Sequence, residues 1–149
     1  MSRSTEPVDP HDDMTLKVEL GDGFLLATAS GPLSRRRAWE LYKEICDSAV
    51  AHGYHKILMD WLAVTGDLSI RERHALGRDA AEYQRHNRMS LKIALLGQEP
   101  TMNRVAVAVA QNRGLDVEAF SVKTFSDRQR ALAWLHDPTS RKIQHPASR

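Results

Sequence analysis

Residues 56–77 read KILMDWLAVTGDLSIRERHALG, and this stretch decides the fold class. The consecutive apolar residues Ile57, Leu58 and Met59 are typical of a strand that is buried on both faces, as in a parallel sheet, and we expect Asp60 to close this strand. A short polar segment follows, and Ser69 with Glu72 has the spacing of a capping box at a helix start. A strand, loop and helix in this order place loop hydroxyls and helix-end N–H groups at the carboxyl edge of a sheet, where open α/β folds bind ligands.

The composition is that of an ordinary soluble domain and argues against several function classes. The chain has 149 residues, of which 42% are hydrophobic and 27% charged, and this fits one domain with a real core. A formal net charge of +2 is too small to indicate nucleic-acid binding. Cys46 is the single cysteine, so an internal disulfide and a Cys-rich zinc site are excluded. With no signal peptide and no apolar run of roughly 18 residues, we expect a cytoplasmic protein without a membrane span, and we predict no cofactor or metal.

The N-terminal half predicts a hairpin and a helix. Alternating apolar residues predict a strand over Leu16–Leu20, and a second strand is expected over Phe24–Ser30. Gly31-Pro32 is expected to break this second strand. Ser34 then caps a helix, for which Gly53 is a natural stop.

The C-terminal half predicts two further strands with helices after them. We expect strands at Leu91–Leu96 and Val117–Val122. Thr101–Arg113 alternates valine and alanine as a strand would, but we interpret it as a helix because alanine favours helices and a parallel crossover needs one. Ser126 and Gln129 have the spacing of a second capping box.

The predicted order is ββαβαβαβα, a single α/β domain with a mixed five-stranded sheet covered by about four helices. We place this domain at residues 14–136, between a disordered N-terminal tail over residues 1–13 and a flexible C-terminal tail over residues 137–149.

This order resembles the STAS superfamily, which includes bacterial anti-sigma-factor antagonists and the cytoplasmic domains of sulfate transporters. The chain is most similar to the SpoIIAA-like (STAS/SEC14-like) branch, whose members mostly lack an assigned activity. In the antagonists, a serine in an Asp-Ser-Ser-Gly helix start is phosphorylated by a partner kinase. This chain has Leu68-Ser69-Ile70-Arg71 there, so one serine remains. The segments that carry the resemblance are Lys56–Asp60, Gly66–Ser69 with Arg73 and Gly77, Phe125–Asp127 and Ala131–Leu135.

The candidate site is the loop Thr65–Ser69, here called the rim, together with the start of the following helix. Parallel strands would bring it to the same edge as the loops Gly97–Thr101 and Thr124–Asp127. Helix-end N–H groups and the helix dipole receive anions, although Ser69, Thr101 and Ser126 also have a simple structural role as helix caps. The predicted binding residues are Thr65, Gly66, Asp67, Ser69, Arg71 and Arg73, with Ser69 as a candidate phosphosite.

We predict a non-catalytic cytoplasmic regulatory or interaction module that binds a protein partner or a small anionic ligand at the rim. The first alternative is a carrier of a small apolar or lipid-like ligand, with a cavity around Trp39, Tyr42, Leu76 and Tyr83. The second alternative, an enzyme, requires that titratable side chains converge, and the candidates are Asp60, Asp67 and His74.

Two further features stay open at this level. Arg35–Arg37 places three cations in the first turn of a helix, which indicates either a solvated face or a surface for an acidic partner or an anionic lipid. The strand Leu16–Leu20 offers a sheet edge at which a second copy could pair, although Lys17 and Glu19 are charges that discourage edge pairing.

Overall fold

The described part of the chain comprises residues 13–66, 68–97 and 121–138 of a computed structural model. The predicted helix Thr101–Arg113 lies outside it, as does most of both predicted tails. Within it are five strands and three helices: β1 (Thr15–Leu20), β2 (Leu25–Pro32), α1 (Arg35–Ala51), β3 (Lys56–Thr65), α2 (Ile70–His86), β4 (Lys92–Leu96), β5 (Ser121–Phe125) and α3 (Arg128–His136).

The strands form one mixed sheet in the order β1-β2-β3-β4-β5. β1 and β2 are antiparallel, whereas each later neighbour pair is parallel. This confirms the predicted mixed five-stranded α/β fold. Three helices are described against the four predicted, because the fourth prediction falls outside the described residues.

The helices cover the two faces of the sheet unequally. Successive strand residues point to opposite faces. Ile57 and Met59 pack in one core with Ile45 of α1 and Ala80 of α2, while Leu58 packs in another with buried residues of α3. Hence α1 and α2 share one face, and α3 lies on the other.

The predicted break at Gly31-Pro32 is wrong, because β2 continues to Pro32 beside the end of β3. Gly31 has a φ of +103°, which glycine adopts without strain. A Cβ at this position would lie 2.7 Å from the carbonyl oxygen of Asp13, so the close approach of the N-terminal segment also requires a glycine.

Asp60 does not close its strand, contrary to the prediction. β3 runs on to Thr65 and carries one extra residue opposite β2, since Thr28 pairs with Asp60 and Ser30 with Ala63. At this bulge the Asp60 Oδ1 accepts a hydrogen bond from the Leu62 N–H at 3.1 Å. A carboxylate therefore stabilises the irregular backbone that a bulge creates.

The C-terminal elements are shifted from their predicted positions. β5 is described as Ser121–Phe125, so it extends past the predicted end at Val122 because Lys123–Phe125 pair with β4. The cap of α3 is Asp127 and not Ser126, because the Asp127 Oδ1 accepts from the Gln129 N–H at 3.0 Å. The predicted caps Ser34 and Ser69 are confirmed.

Lys92 is a charged residue in an otherwise apolar strand, and it is 2% exposed. Its ammonium group lies at the C-terminal end of α3, where it donates to the carbonyl oxygens of Trp134, Leu135 (3.1 Å) and Asp137 (2.9 Å). The group also lies 4.7 Å from the centroid of the Trp134 ring. A cation at the negative end of the helix dipole is favourable, so Lys92 attaches α3 to the sheet.

Candidate functional site

The carboxyl ends of β2, β3, β4 and β5 all lie at one edge of the sheet, as parallel pairing requires. The ends are not level, however. Asp60 pairs with the last residue of β4, Leu96, and β3 continues to Thr65, roughly 15 Å further along the strand direction. The rim therefore lies beside the β2–α1 connection, where the Leu33 N–H donates to the Thr65 carbonyl at 2.7 Å. The shared edge of the strand ends agrees with the sequence analysis, whereas the loop Gly97–Thr101 lies largely outside the described residues, so its proximity to the rim stays a prediction.

The rim itself is exposed. Thr65, Gly66 and Ser69 are exposed, and Leu68 is half-buried. Gly66 has a φ of +88°, so the turn that leaves β3 favours glycine. Asp67, also predicted as a binding residue, lies outside the described residues.

Ser69 and Glu72 form the capping box that the sequence predicts. The Ser69 Oγ accepts from the Glu72 N–H at 3.1 Å, and the Glu72 Oε1 accepts from the Ser69 N–H at 3.0 Å. Two N–H groups that an anion would use are thus satisfied within the chain, and a carboxylate already occupies the positive end of the dipole. The arrangement favours a protein surface over a small anion as the occupant of the rim.

The start of α2 presents an apolar side chain flanked by cations. Ile70 is 66% exposed, the highest value among the exposed large hydrophobic residues of the described chain. Arg71, His74 and Arg78 are also exposed, and their spacing of three and four residues places them along one stripe of the helix. Arg71 and Arg78 form no ion pair with any other described residue. We call this set, with Thr65, Gly66 and Ser69, the α2 surface.

Of the two arginines among the predicted binding residues, only Arg71 is exposed. Arg73 is half-buried and makes another contact. Sequence reasoning missed Ile70 and Arg78. The sequence could have indicated that Ile70 is exposed, because it is an apolar residue at the first position of α2 and lies outside the apolar stripe of that helix. Arg78 gave no such signal, because its spacing of four residues from Glu82 is that of an ordinary pair on a helix surface.

The arginines that begin α1 are all engaged. Arg35 lies 3.5 Å from Asp79, Arg36 contacts Asp13 and Glu40, and Arg37 lies 3.2 Å from Glu40. Arg37 also donates from Nε to the Met14 carbonyl at 3.1 Å, which ties down the start of β1. The hydrogen bond from Arg36 is the largest cause of a lowered pKa of Glu40, with Arg37 adding to it. This cluster is neutralised locally, which favours the structural interpretation of Arg35–Arg37.

Of the residues considered for the enzyme alternative, Asp60 and His74 lie apart, and Asp67 lies outside the described residues. Asp60 lies on the α3 face, where one oxygen is 3.3 Å from the Arg128 Nη1 and the other accepts from Leu62. His74 is an exposed residue of α2, on the opposite face of the sheet. The convergence that the enzyme alternative requires is therefore not found for Asp60 and His74, because they lie on opposite faces of the sheet.

The region predicted to hold an apolar ligand is an open groove between α1 and α2 with a volume of about 480 Å³. The Trp39 and Tyr83 rings meet edge-on in it, with centroids 5.7 Å apart. The other lining residues are all polar or charged, namely Asp79, Glu82, His86 and Asn87. A carrier of apolar molecules needs a mostly apolar lining, so this groove does not support that alternative.

A small polar cluster lies buried between α1 and α2. The Gln84 Nε2 donates to the Tyr42 hydroxyl at 2.8 Å and to the Cys46 Sγ at 3.2 Å. Burial raises the pKa of the Cys46 thiol to about 12 and that of Tyr42 well above its ordinary value. A thiol held neutral in this way is a poor nucleophile, and Cys46 lies fully buried in the core, as a packing residue does.

The two histidines considered as metal ligands contact main-chain carbonyls. The Nδ1 atoms of His52 and His55 lie 2.8 Å from the Ser48 oxygen and 3.3 Å from the Ser90 oxygen. Among the described residues, no three side chains of His, Cys, Asp or Glu are grouped as metal ligands would be. Nor does this part of the chain contain a helix of the length and hydropathy that a bilayer crossing demands.

Comparison with known proteins establishes the fold. No protein-family model matches the chain, and no curated protein matches it in sequence. Among solved structures, an anti-sigma factor antagonist from Mycobacterium paratuberculosis is similar with a TM-score of 0.55 and 19% identity, over 87% of this chain and 100% of that one. An uncharacterised protein with a SpoIIAA-like fold from Shewanella loihica has a TM-score of 0.50 and 23% identity, over 87% and 98% of the two chains. The chain therefore has a SpoIIAA-like fold, as its sequence predicts.

Proposed function

We propose that this protein is a non-catalytic regulatory module that docks an acidic protein partner on the α2 surface. The observation that carries the proposal is the combination of a 66% exposed Ile70 with the exposed Arg71 next to it, which forms no ion pair within the described part of the chain. Protein interfaces commonly centre on a buried apolar anchor, and arginine is enriched in them. His74 and Arg78 extend the same stripe by two helical turns.

The charge pattern of the α2 surface selects the kind of partner. Most other arginines of the described chain lie beside a carboxylate, whereas Arg71 and Arg78 have no acidic neighbour within ion-pair distance among residues 13–66, 68–97 and 121–138. A partner with carboxylates around an apolar pocket would complement Ile70, Arg71 and Arg78 together. Complementary charge of this kind speeds association and excludes wrong partners.

The fold comparison supports a protein partner in a limited way. One of the similar structures is named as an antagonist of an anti-sigma factor, and its fold is thus compatible with a role that involves a protein. We extend this role, and not the identity of the partner, to the present chain.

Ser69 supplies a route to regulation within the same proposal. Its hydroxyl is exposed at the first turn of α2, and a phosphate there would add about −1.5 to −2 charges beside Arg71. A phosphate would also compete with Glu72 for the helix-end N–H groups, because both are anions. Phosphorylation of Ser69 would therefore change the charge of the docking surface and weaken the binding of an acidic partner.

The test is quantitative capture from a lysate of the source organism with the tagged full chain. We expect the double variant Ile70→Asp/Arg71→Glu to lose its specific partners by at least about ten-fold, as loss of an interface hot spot would cause. The matched control is Val50→Asp/Arg130→Glu, which makes the same charge change at a 53% exposed valine at the end of α1 and at an exposed arginine of α3.

Retention of the partners by Ile70→Asp/Arg71→Glu, or equal loss in the control, would overturn the proposal. The intact mass of the captured protein shows separately whether Ser69 is phosphorylated. A phosphate on Ser69 in the fraction without partner, and its absence from the complex, would support the switch. The same phosphate on the bound protein would contradict the switch but leave the docking surface in place.

A further inference from the structure

The outer edge of β1 is free in the described sheet. β1 pairs with β2 on one side, and no other described strand lies beyond it. Leu20, at the end of β1, is 56% exposed although it lies in a strand. An open edge with an exposed apolar residue is a template for pairing with another strand.

The hairpin fixes which backbone groups of β1 point outward. The Gly21 N–H donates to the Phe24 carbonyl at 2.8 Å, and these two residues are directly opposite in the register that pairs Leu20 with Leu25. Hydrogen-bonded and non-hydrogen-bonded pairs alternate along an antiparallel ladder. The backbone N–H and C=O groups of Thr15, Lys17 and Glu19 therefore form the hydrogen bonds to β2. The N–H and C=O groups of Leu16, Val18 and Leu20 face away from the sheet.

We propose that two copies of this chain associate through antiparallel pairing of their β1 strands about a two-fold axis at Val18. In this register Val18 lies opposite Val18 of the second copy, and Leu16 lies opposite Leu20 of the second copy. All of these residues carry outward-facing backbone groups, so each pair exchanges two N–H···O=C bonds. The exposed Leu20 is then covered by a leucine on the face that carries α1.

The charges on the other face match in the same register. Lys17 and Glu19 are exposed, and their side chains lie 3.9 Å apart within one strand. The two-fold axis at Val18 places Lys17 opposite Glu19 of the second copy, and Glu19 opposite Lys17. Opposite charges directly across an antiparallel pair are favourable, whereas like charges are unfavourable.

The same charges exclude the neighbouring registers. A shift by two residues in one direction sets Lys17 against Lys17 of the second copy, and in the other direction Glu19 against Glu19. A shift of the register by one residue sets the outward N–H and C=O groups of one copy against groups of the second copy that are already bonded to its β2. It also brings the α1 face of one sheet level with the opposite face of the other. Lys17 and Glu19 thus discourage other strands and permit one symmetric pairing with a second copy, which closes as an isologous dimer.

The test measures the mass of the full chain by sedimentation at increasing concentration. We expect the wild type to reach twice the monomer mass of 16.8 kDa. The single variants Lys17→Glu and Glu19→Lys each create like-charge pairs at the axis and should raise the dimer dissociation constant at least ten-fold. An equimolar mixture of the two variants restores complementary pairs and should form heterodimers. The double variant Lys17→Glu/Glu19→Lys should dimerise like the wild type.

A backbone variant checks the hydrogen bonds separately. Val18→Pro removes an outward N–H while leaving the ladder to β2 intact, and it should be monomeric, whereas Val18→Thr keeps the N–H and should dimerise. Circular dichroism establishes whether the proline variant is folded, and the charge variants decide the question if it is not. A wild type that stays monomeric at millimolar concentration, or a dimer that neither single charge variant weakens, overturns the proposal.

Discussion

The starts of α1 and α2 are similar in sequence but differ in their charge environment. Both begin after a capping serine, Ser34 or Ser69, and both carry arginines in the first turns. At α1 each arginine lies beside a carboxylate, and Arg37 also bonds to the main chain at Met14. At α2 the guanidinium group of Arg71 has no acidic neighbour within ion-pair distance among the described residues. The comparison teaches that the pairing of charges, and not their number, indicates where a surface is available to a partner.

The largest expected effect concerns Arg37. Its side chain is 28% exposed and holds the segment before β1 through Met14. Arg37→Ala should lower the free energy of unfolding by about 1–2 kcal/mol, since a hydrogen bond from a charged group is lost. Urea denaturation measures this, and Arg37→Lys, which keeps the charge, should recover part of the loss. An effect no larger than that of Arg71→Ala would remove the distinction between the two helix starts.

The serine caps should behave alike in spite of their different surroundings. Ser34→Ala and Ser69→Ala should each cost about 1 kcal/mol, because each removes the acceptor for a first-turn N–H. Ser69→Asp keeps an acceptor at the same place and should stay close to the wild type. Thermal and urea denaturation of the three variants test this. A large loss in Ser69→Asp would show that the start of α2 does not tolerate negative charge.

The arginines of the α2 surface should contribute little to folding. Arg71→Ala and Arg78→Ala should change the free energy of unfolding by less than about 0.5 kcal/mol, as expected for surface residues without a structural contact. Their effect should appear in partner capture instead, and more strongly at low salt. Destabilisation comparable with Arg37→Ala would mean that these residues support the fold and not an interface.

The smallest effect is a titration shift at Glu40. The hydrogen bond from Arg36 is the main cause that lowers the pKa of this carboxyl, so Arg36→Ala should raise the pKa toward its ordinary value. Because the folded pKa is the lower one, the contribution of this pair to stability is present above the ordinary glutamate pKa. It is lost as the pH falls through the folded value. NMR titration of the Glu40 carboxyl carbon reads the shift directly, with Arg35→Ala as the control that should leave it unchanged.

Much of the fold was predictable because its signals are local. The run Ile57–Met59 indicates a buried strand, Ser69 and Glu72 mark a helix start, and Gly53 follows the end of α1, with a φ of +76°. The errors arose where a distant segment overrides a local signal. β2 passes through Gly31 and Pro32 because β3 continues beside it, and that extension also moved Asp60 from a strand end to the middle of β3.

The position of the candidate site was predictable from the sequence, whereas the residues that form it were predictable only in part. The rim follows from the order of strand, loop and helix, and its exposure at Thr65, Gly66 and Ser69 agrees with a surface loop. The convergence of the rim with the loops after β4 and β5 stays a prediction, because the loop Gly97–Thr101 lies largely outside the described residues. The greater length of β3, which no sequence pattern sets, was not predicted. Ile70 was missed because exposure of a single apolar residue depends on how α2 rotates against the sheet.

The sequence by itself determined the α/β class, the caps Ser34 and Ser69, and the alternation that leaves Lys17 and Glu19 on one face of β1. These properties depend on residues within a few positions of each other. Only the tertiary structure decided which arginines are neutralised, since Arg36 meets Asp13 and Arg35 meets Asp79 across separate segments. It also placed Asp60 and His74 on opposite faces, and it left Ile70 exposed beside Arg71. Electrostatic pairing and burial act through space, so they follow from the packed chain and not from the order of its residues.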